Sequence, residues 1–177
     1  EVRIWRNNSS QHLDARVGAK LPMDAEIRTL AGGKVHLLFP TGLTVLVKER
    51  GYLGISGSLS NPTPAFFTGE FLIGYDGKNK KSKQVWTPGT ILTIPNQESI
   101  LVRGRIDPET NATSYTCILG APSLQAKDKT ITLTPGKRYL IAYEQPPSEA
   151  LPSSDDSSET ISFSVNGSLG DIEQLKP

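Results

Sequence analysis

Cysteine is nearly absent from this 177-residue sequence, which holds Cys117 alone. One thiol cannot close an internal bridge, so no disulfide framework can be read from it. Its setting, Tyr115-Thr116-Cys117-Ile118-Leu119, is that of a small buried hydrophobe on a strand. Histidine is scarce too: His12 and His36 are the only two, and neither stands in a metal-ligand spacing such as H-E-x-x-H. No apolar run approaches the roughly 18 residues that a membrane-crossing helix needs. Neither sign of charge is in excess, and a formal net charge of +1 excludes a strongly basic nucleic-acid binder. Apolar residues at helical spacing are almost missing as well. The first residue is Glu1 rather than Met, so a processed or cut piece is expected, with any leader or anchor outside it.

Turn and strand chemistry fills the space. Gly (16) and Pro (13) join 17 Ser and 15 Thr, too many turn residues for a helical bundle. The length suits one domain, or one plus an appendage, since single domains hold about 100–200 residues. In 34–39, Val35, Leu37 and Phe39 alternate with His36, which is therefore expected on the solvent side. Strands are also predicted at 43–48, 66–73, 84–87, 90–94, 99–104, 113–119, 130–133 and 138–143. Turn signals such as Gly32-Gly33, Asp76-Gly77 and Pro108 with Asn111 separate them. In 99–104, Ile100 and Val102 are predicted to face the core, with Leu101 and Arg103 opposite; Gly104 marks a bulge or a close backbone approach. About a dozen short strands so spaced predict an all-β domain, either a twisted sandwich or a short β-solenoid or jelly-roll-like form.

One pattern occurs three times. An apolar strand runs into Pro40-Thr41-Gly42, Pro88-Gly89 or Pro135-Gly136, and a second apolar strand follows. Pro presets a negative φ and Gly accepts a positive one, which is type II turn chemistry in two of the three. Such turns splay hairpin partners, so these corners are candidates for carrying the chain between sheets. The even spacing of the prolines fits either a weak repeat of stacked β structure or ordinary turn composition. Residues 145–160 then change character, with three Pro, five Ser, four acidic residues and no basic one. Low apolar content predicts a mobile acidic linker there. It would join a β domain at 1–144 to a terminal strand and tail at 161–177, where Ile161-Ser162-Phe163-Ser164-Val165 alternates before Asn166-Gly167.

A search for catalytic sets returns little. Gly54-Ile55-Ser56-Gly57-Ser58 lacks the last Gly of the nucleophile elbow and the helix that should follow it. Asp107, Glu109 and Asn111 alternate like the start of a calcium loop, but the Gly and the closing Glu are missing, so a polar turn is expected. Sequons at Asn7, Asn8, Asn111 and Asn166 matter only in a source that glycosylates. No catalytic, cofactor-binding or metal-ligating residue is assigned, and no cofactor is expected. Two surface candidates remain. Lys78, Lys80, Lys81 and Lys83 crowd into six residues after the Asp76-Gly77 turn, a solvated hairpin tip or a contact for anionic lipid, polysaccharide or nucleic acid. Val2, Ile4 and Trp5 belong to a terminal strand that can close a sheet edge within its own domain or pair with a neighbour.

The order of these segments resembles that of FecR-type domains. Residues 17–29, ending in Ile27-Arg28-Thr29, and then the paired strands around Gly42 are similar to the front half of that family. Thr87-Pro88, Ile100-Leu101-Val102-Arg103-Gly104-Arg105, 115–120 and Leu133-Thr134-Pro135-Gly136-Lys137 resemble its second half. Arg105 stands where the family most often has Thr. The resemblance covers roughly residues 2–143. It implies that Gly42, Pro88, Arg103, Gly104, Pro135 and Gly136 are structural motif positions. It also implies an extracytoplasmic, non-catalytic, sensory module, in the periplasm or at the cell surface. Its partner would be a protein, a membrane receptor or envelope component, with no nucleic acid and with any membrane anchor outside this segment. The alternative from another class is a structural surface or filament subunit that self-associates through sheet edges.

Overall fold

Alternating apolar and polar side chains dictate extended segments that bury one face. The computed structural model describes residues 1–6, 12–78, 83–148 and 151–152. Its strands are β1 (Val2–Arg6), β2 (His12–Asp14), β3 (Ala25–Thr29), β4 (Val35–Leu38), β5 (Leu43–Val47), β6 (Tyr52–Ser58), β7 (Asn61–Asp76) and β8 (Lys83–Thr87). There follow β9 (Thr90–Ile94), β10 (Ser99–Ile106), β11 (Thr113–Leu119), β12 (Ser123–Ala126), β13 (Lys129–Thr132), β14 (Lys137–Ile141) and β15 (Leu151–Pro152). No helix occurs among the described residues. In β9 the alternation is plain: Thr90, Leu92 and Ile94 are buried and Ile91 and Thr93 only half so.

The strands form two sheets that share β7. One runs β2-β1-β3-β6-β7-β8-β9-β12-β13, the other β4-β5-β7-β10-β11-β14-β15. The first part of β7, through Thr68, pairs with β6, and the part from Gly69 onward pairs with β10 and β5. The change of sheet falls at Gly69, whose φ is 94° and where a Cβ would stand 2.6 Å from Gly51 Cα. Only glycine fits such a left-handed, crowded backbone. The inner faces then meet: the rings of Phe66 and Phe71 stack at 3.8 Å between centroids, and Tyr115 meets Phe71 edge-on at 6.4 Å. This is the sandwich of the two forms predicted. A solenoid would stack parallel coils, whereas every pairing here is antiparallel except one contact of Ala65 with Trp86 between β7 and β8.

The three Pro/Gly corners do not share one role. Pro88-Gly89 closes the β8–β9 hairpin, with Thr87 opposite Thr90 and Gly89 at φ 70°. Pro40-Thr41-Gly42 closes the β4–β5 hairpin, where the Gly42 N–H donates to the Phe39 carbonyl at 2.9 Å. Only Pro135-Gly136 carries the chain from one sheet to the other, from β13 to β14. Two hairpins and one crossing do not make a structural repeat built on these corners. His36 also departs from expectation: it is half-buried, and that burial pushes its pKa down.

Beyond residue 144 the chain still touches the body. Pro147 is buried, the Ser148 hydroxyl donates to the Leu140 carbonyl at 2.6 Å, and β15 pairs with Lys137 and Arg138 of β14. The rest of the stretch read as a linker, and the strand predicted at 161–165, lie outside the described residues.

Candidate functional site

The terminal strand is not an edge. β1 sits between β2 and β3, antiparallel to both, so its main-chain groups already have partners on each side. Ile4 is buried in the core and Val2 packs against it. Of the two pairings open to Val2, Ile4 and Trp5, the strand takes the one within its own domain. Trp5 points to the opposite face, with the His12 ring 5.5 Å away and the Arg28 guanidinium 5.1 Å from its centroid.

Lys78 and Lys83 have different surroundings. Lys78 is exposed and bridges to Asp76 Oδ2 at 3.2 Å, while its N–H donates to Asp76 Oδ1 at 3.1 Å. Lys83 is 1% exposed, with Nζ 3.8 Å from the Tyr75 ring centroid. It opens β8 in phase with Val85 and Thr87, so the strand period turns it inward, against the solvated tip expected of it. The π face of Tyr75 offers the ammonium a partial replacement for water. Lys80 and Lys81 lie outside the described residues.

The motif positions support the frame. Ile100 and Val102 are buried and Leu101 and Arg103 are half-buried on the outer face. A Cβ on Gly104 would stand 2.1 Å from Phe71 Cζ, so this glycine is the seat of a core ring. The bulge lies elsewhere on the strand, between Leu101 and Val102 in the pairing with β11. Arg103 Nε is 3.8 Å from Glu70 Oε1, which also holds Lys48 Nζ at 2.8 Å. The Gly136 N–H donates to the Cys117 carbonyl at 2.9 Å, tying the Pro135-Gly136 crossing to β11.

Buried hydroxyls join the two sheets at one point. The Tyr115 hydroxyl lies 2.9 Å from Thr87 Oγ1 and 2.7 Å from Thr90 Oγ1, and Thr113 Oγ1 donates to Thr87 at 3.3 Å. Burial pushes the Tyr115 pKa up to about 12. Cys117 is buried as well, and its pKa, raised to about 11 chiefly by burial, keeps it a neutral thiol. Asp107 Oδ1 accepts the N–H groups of Glu109 at 2.8 Å and Thr110 at 3.4 Å, and the first of these does most to hold its pKa below the usual value. That is the polar turn expected there. Among the described residues no group of three His, Cys, Asp or Glu side chains is placed to hold a metal ion.

Two surface features concentrate binding chemistry. On the second sheet, a shallow cleft of about 410 Å³ is lined by Arg105, Asp107, Glu109, Ser114, Arg138 and Leu140, two cations against two anions. On the outer face of the first sheet, aromatic side chains line up across β1, β6, β7 and β8. Tyr52 and Phe67 lie 4.7 Å apart, the Arg28 guanidinium is 4.5 Å over Tyr52, and Phe67 and Trp86 are 45% and 42% exposed. Sequence reading missed this row because its members lie far apart in the chain. The available signal was that Trp5, Tyr52, Phe67 and Trp86 each sit out of phase with a buried neighbour.

No protein-family profile matches the chain, and no curated protein matches it in sequence. Its fold is similar to that of a "putative anti-sigma factor" from Parabacteroides distasonis, seen in crystal structures at 2.50 Å and 1.65 Å resolution. Each match has a TM-score of 0.58 at 13% identity and covers 72% of this chain. The matched region spans 58% of that protein's chain.

Proposed function

We propose that the chain is a non-catalytic regulatory module of FecR type that acts outside the cytoplasm by binding a protein partner, a membrane receptor or envelope component. The observation that carries the reading is the likeness of fold to the Parabacteroides distasonis protein over 72% of this chain. The sequence resemblance is independent support. Its Ile27-Arg28-Thr29 segment lies on β3 and its Val102-Arg103-Gly104 segment on β10, one central strand in each sheet. Both segments therefore lie in the β framework of this chain.

Deleting the gene in its source organism and profiling transcripts tests the regulatory role. The expected result is a change in a discrete set of promoters, restored by complementation; an unchanged profile overturns it. An alkaline phosphatase fusion to the full-length protein tests location: an active fusion is expected, and an inactive one excludes action outside the cytoplasm.

A further inference from the structure

One register row crosses the outer face of the first sheet: Trp5, Glu26, Gly54, Ala65, Trp86 and Ile91, one residue from each of six neighbouring strands. At about 4.8 Å per strand the row is about 24 Å long. Its two tryptophans frame a bare stretch of backbone, because Gly54 and Ala65 add almost no side chain. Phe67 lies down on that stretch: a Cβ on Gly54 would be 3.1 Å from Phe67 Cε2. Tyr52 braces Phe67 from the side at 4.7 Å, and Arg28 fills the gap to Trp5. The rings are held in place before any ligand arrives.

The geometry points to a binding site for an uncharged polysaccharide chain on this face, with Phe67 and Trp86 as the stacking platforms. Charge argues for a neutral ligand. The row itself holds one charged side chain, Glu26, and the charges beside it are paired, Arg28 with Glu26 at 3.9 Å and Arg3 with Glu1 at 2.6 Å. An anionic or cationic polymer would find no net countercharge. A polysaccharide is itself a narrow strip, with apolar C–H faces for the exposed rings and hydroxyls for polar neighbours. Gln84, which accepts a hydrogen bond from Trp86 Nε1 at 3.4 Å, is such a neighbour. This site is independent of the regulatory reading and stands or falls without it.

Native affinity electrophoresis in gels containing hydroxyethyl cellulose, laminarin or galactomannan tests the inference, with anionic alginate as the charged comparison. Retardation by at least one neutral polymer and none by alginate is expected. Phe67→Ala and Trp86→Ala should each weaken it at least tenfold, while Ile118→Ala, an exposed position on the other sheet, should leave it unchanged. In Trp5→Phe protein, Trp86 is the sole tryptophan, and its emission should shift when the retarding polymer is added. The inference is overturned by passage through all three neutral gels, by equal retardation in alginate, or by full retardation of both alanine variants with an unshifted Trp86 emission. It is also overturned if Trp86→Ala lowers the sedimenting mass, since a second copy would then cover the face.

Discussion

Gly104 and Tyr115 are neighbours across β10 and β11, and each answers to the same aromatic core. At Gly104 the obstacle is steric, because the Phe71 ring occupies the volume that a Cβ would take. Gly104→Val should cost on the order of 1–3 kcal/mol through overpacking, which in a domain of this size lowers Tm by roughly 4–10 °C. A melt within 1–2 °C of wild type would contradict the close approach. At Tyr115 the issue is ionisation. Its pKa stands at about 12 against an ordinary 10.0, so above pH 10 the unfolded chain loses the phenolic proton more readily than the native one. The contribution is complete below about pH 10 and is lost as pH rises toward 12. Tyr115→Phe should therefore flatten the fall in stability between pH 10 and 12, measured by denaturant titration. Near pH 7 the same change should cost about 1 kcal/mol, the usual worth of a lost buried hydrogen bond.

Strands succeed or fail by what lies beside them. β1 is short, yet it fills the space between β2 and β3 and buries Ile4, a side chain worth roughly 1.5–3 kcal/mol. Deleting residues 1–5 should lower Tm by at least about 5 °C and leave the sedimenting mass per particle as in the intact chain. A variant that keeps its Tm but loses mass would show that the strand pairs between copies. β8 makes the complementary point. Its pattern was legible, but a lysine at its first position read as the end of a solvated tip. The period of two, continued one residue earlier, places Lys83 under Tyr75. Lys83→Ala should then cost more than the half kcal/mol or so typical of surface changes, as measured by urea unfolding.

The two sheets are one molecule because β7 belongs to both and because Phe66, Phe71, Tyr115, Thr87 and Thr90 meet between them. Neither inner face can leave the other without exposing these side chains together. Heating should give a single transition with equal calorimetric and van't Hoff enthalpies, and two separable transitions would show the sheets to be independent. Gly69→Ala tests the shared strand directly. A side chain there meets the Gly51 backbone in a left-handed conformation, so a loss of more than about 1 kcal/mol is expected in that same calorimetric trace.

Periodicity and turn chemistry are local, and the sequence by itself determined what depends on them. The all-β class follows from alternation, and so do the inward Ile100 and Val102 and the outward Leu101 and Arg103. The neutral buried Cys117 and the polar turn at Asp107 were equally legible, because their nearest neighbours in sequence explain them. Sheet membership is not local. Nothing near Gly69 announces that β7 changes sheets, since the reason is the approach of Gly51, from the turn that precedes β6. Pro40, Pro88 and Pro135 present nearly the same turn residues, yet only the last joins the sheets, a choice made by the strands that flank it. The aromatic row has the same origin. Trp5 and Trp86 are 81 positions apart in the chain and share one register row only because β3, β6 and β7 pair between them. The tertiary structure decided the rest, because hydrogen bonds between strands do not depend on how much chain separates them.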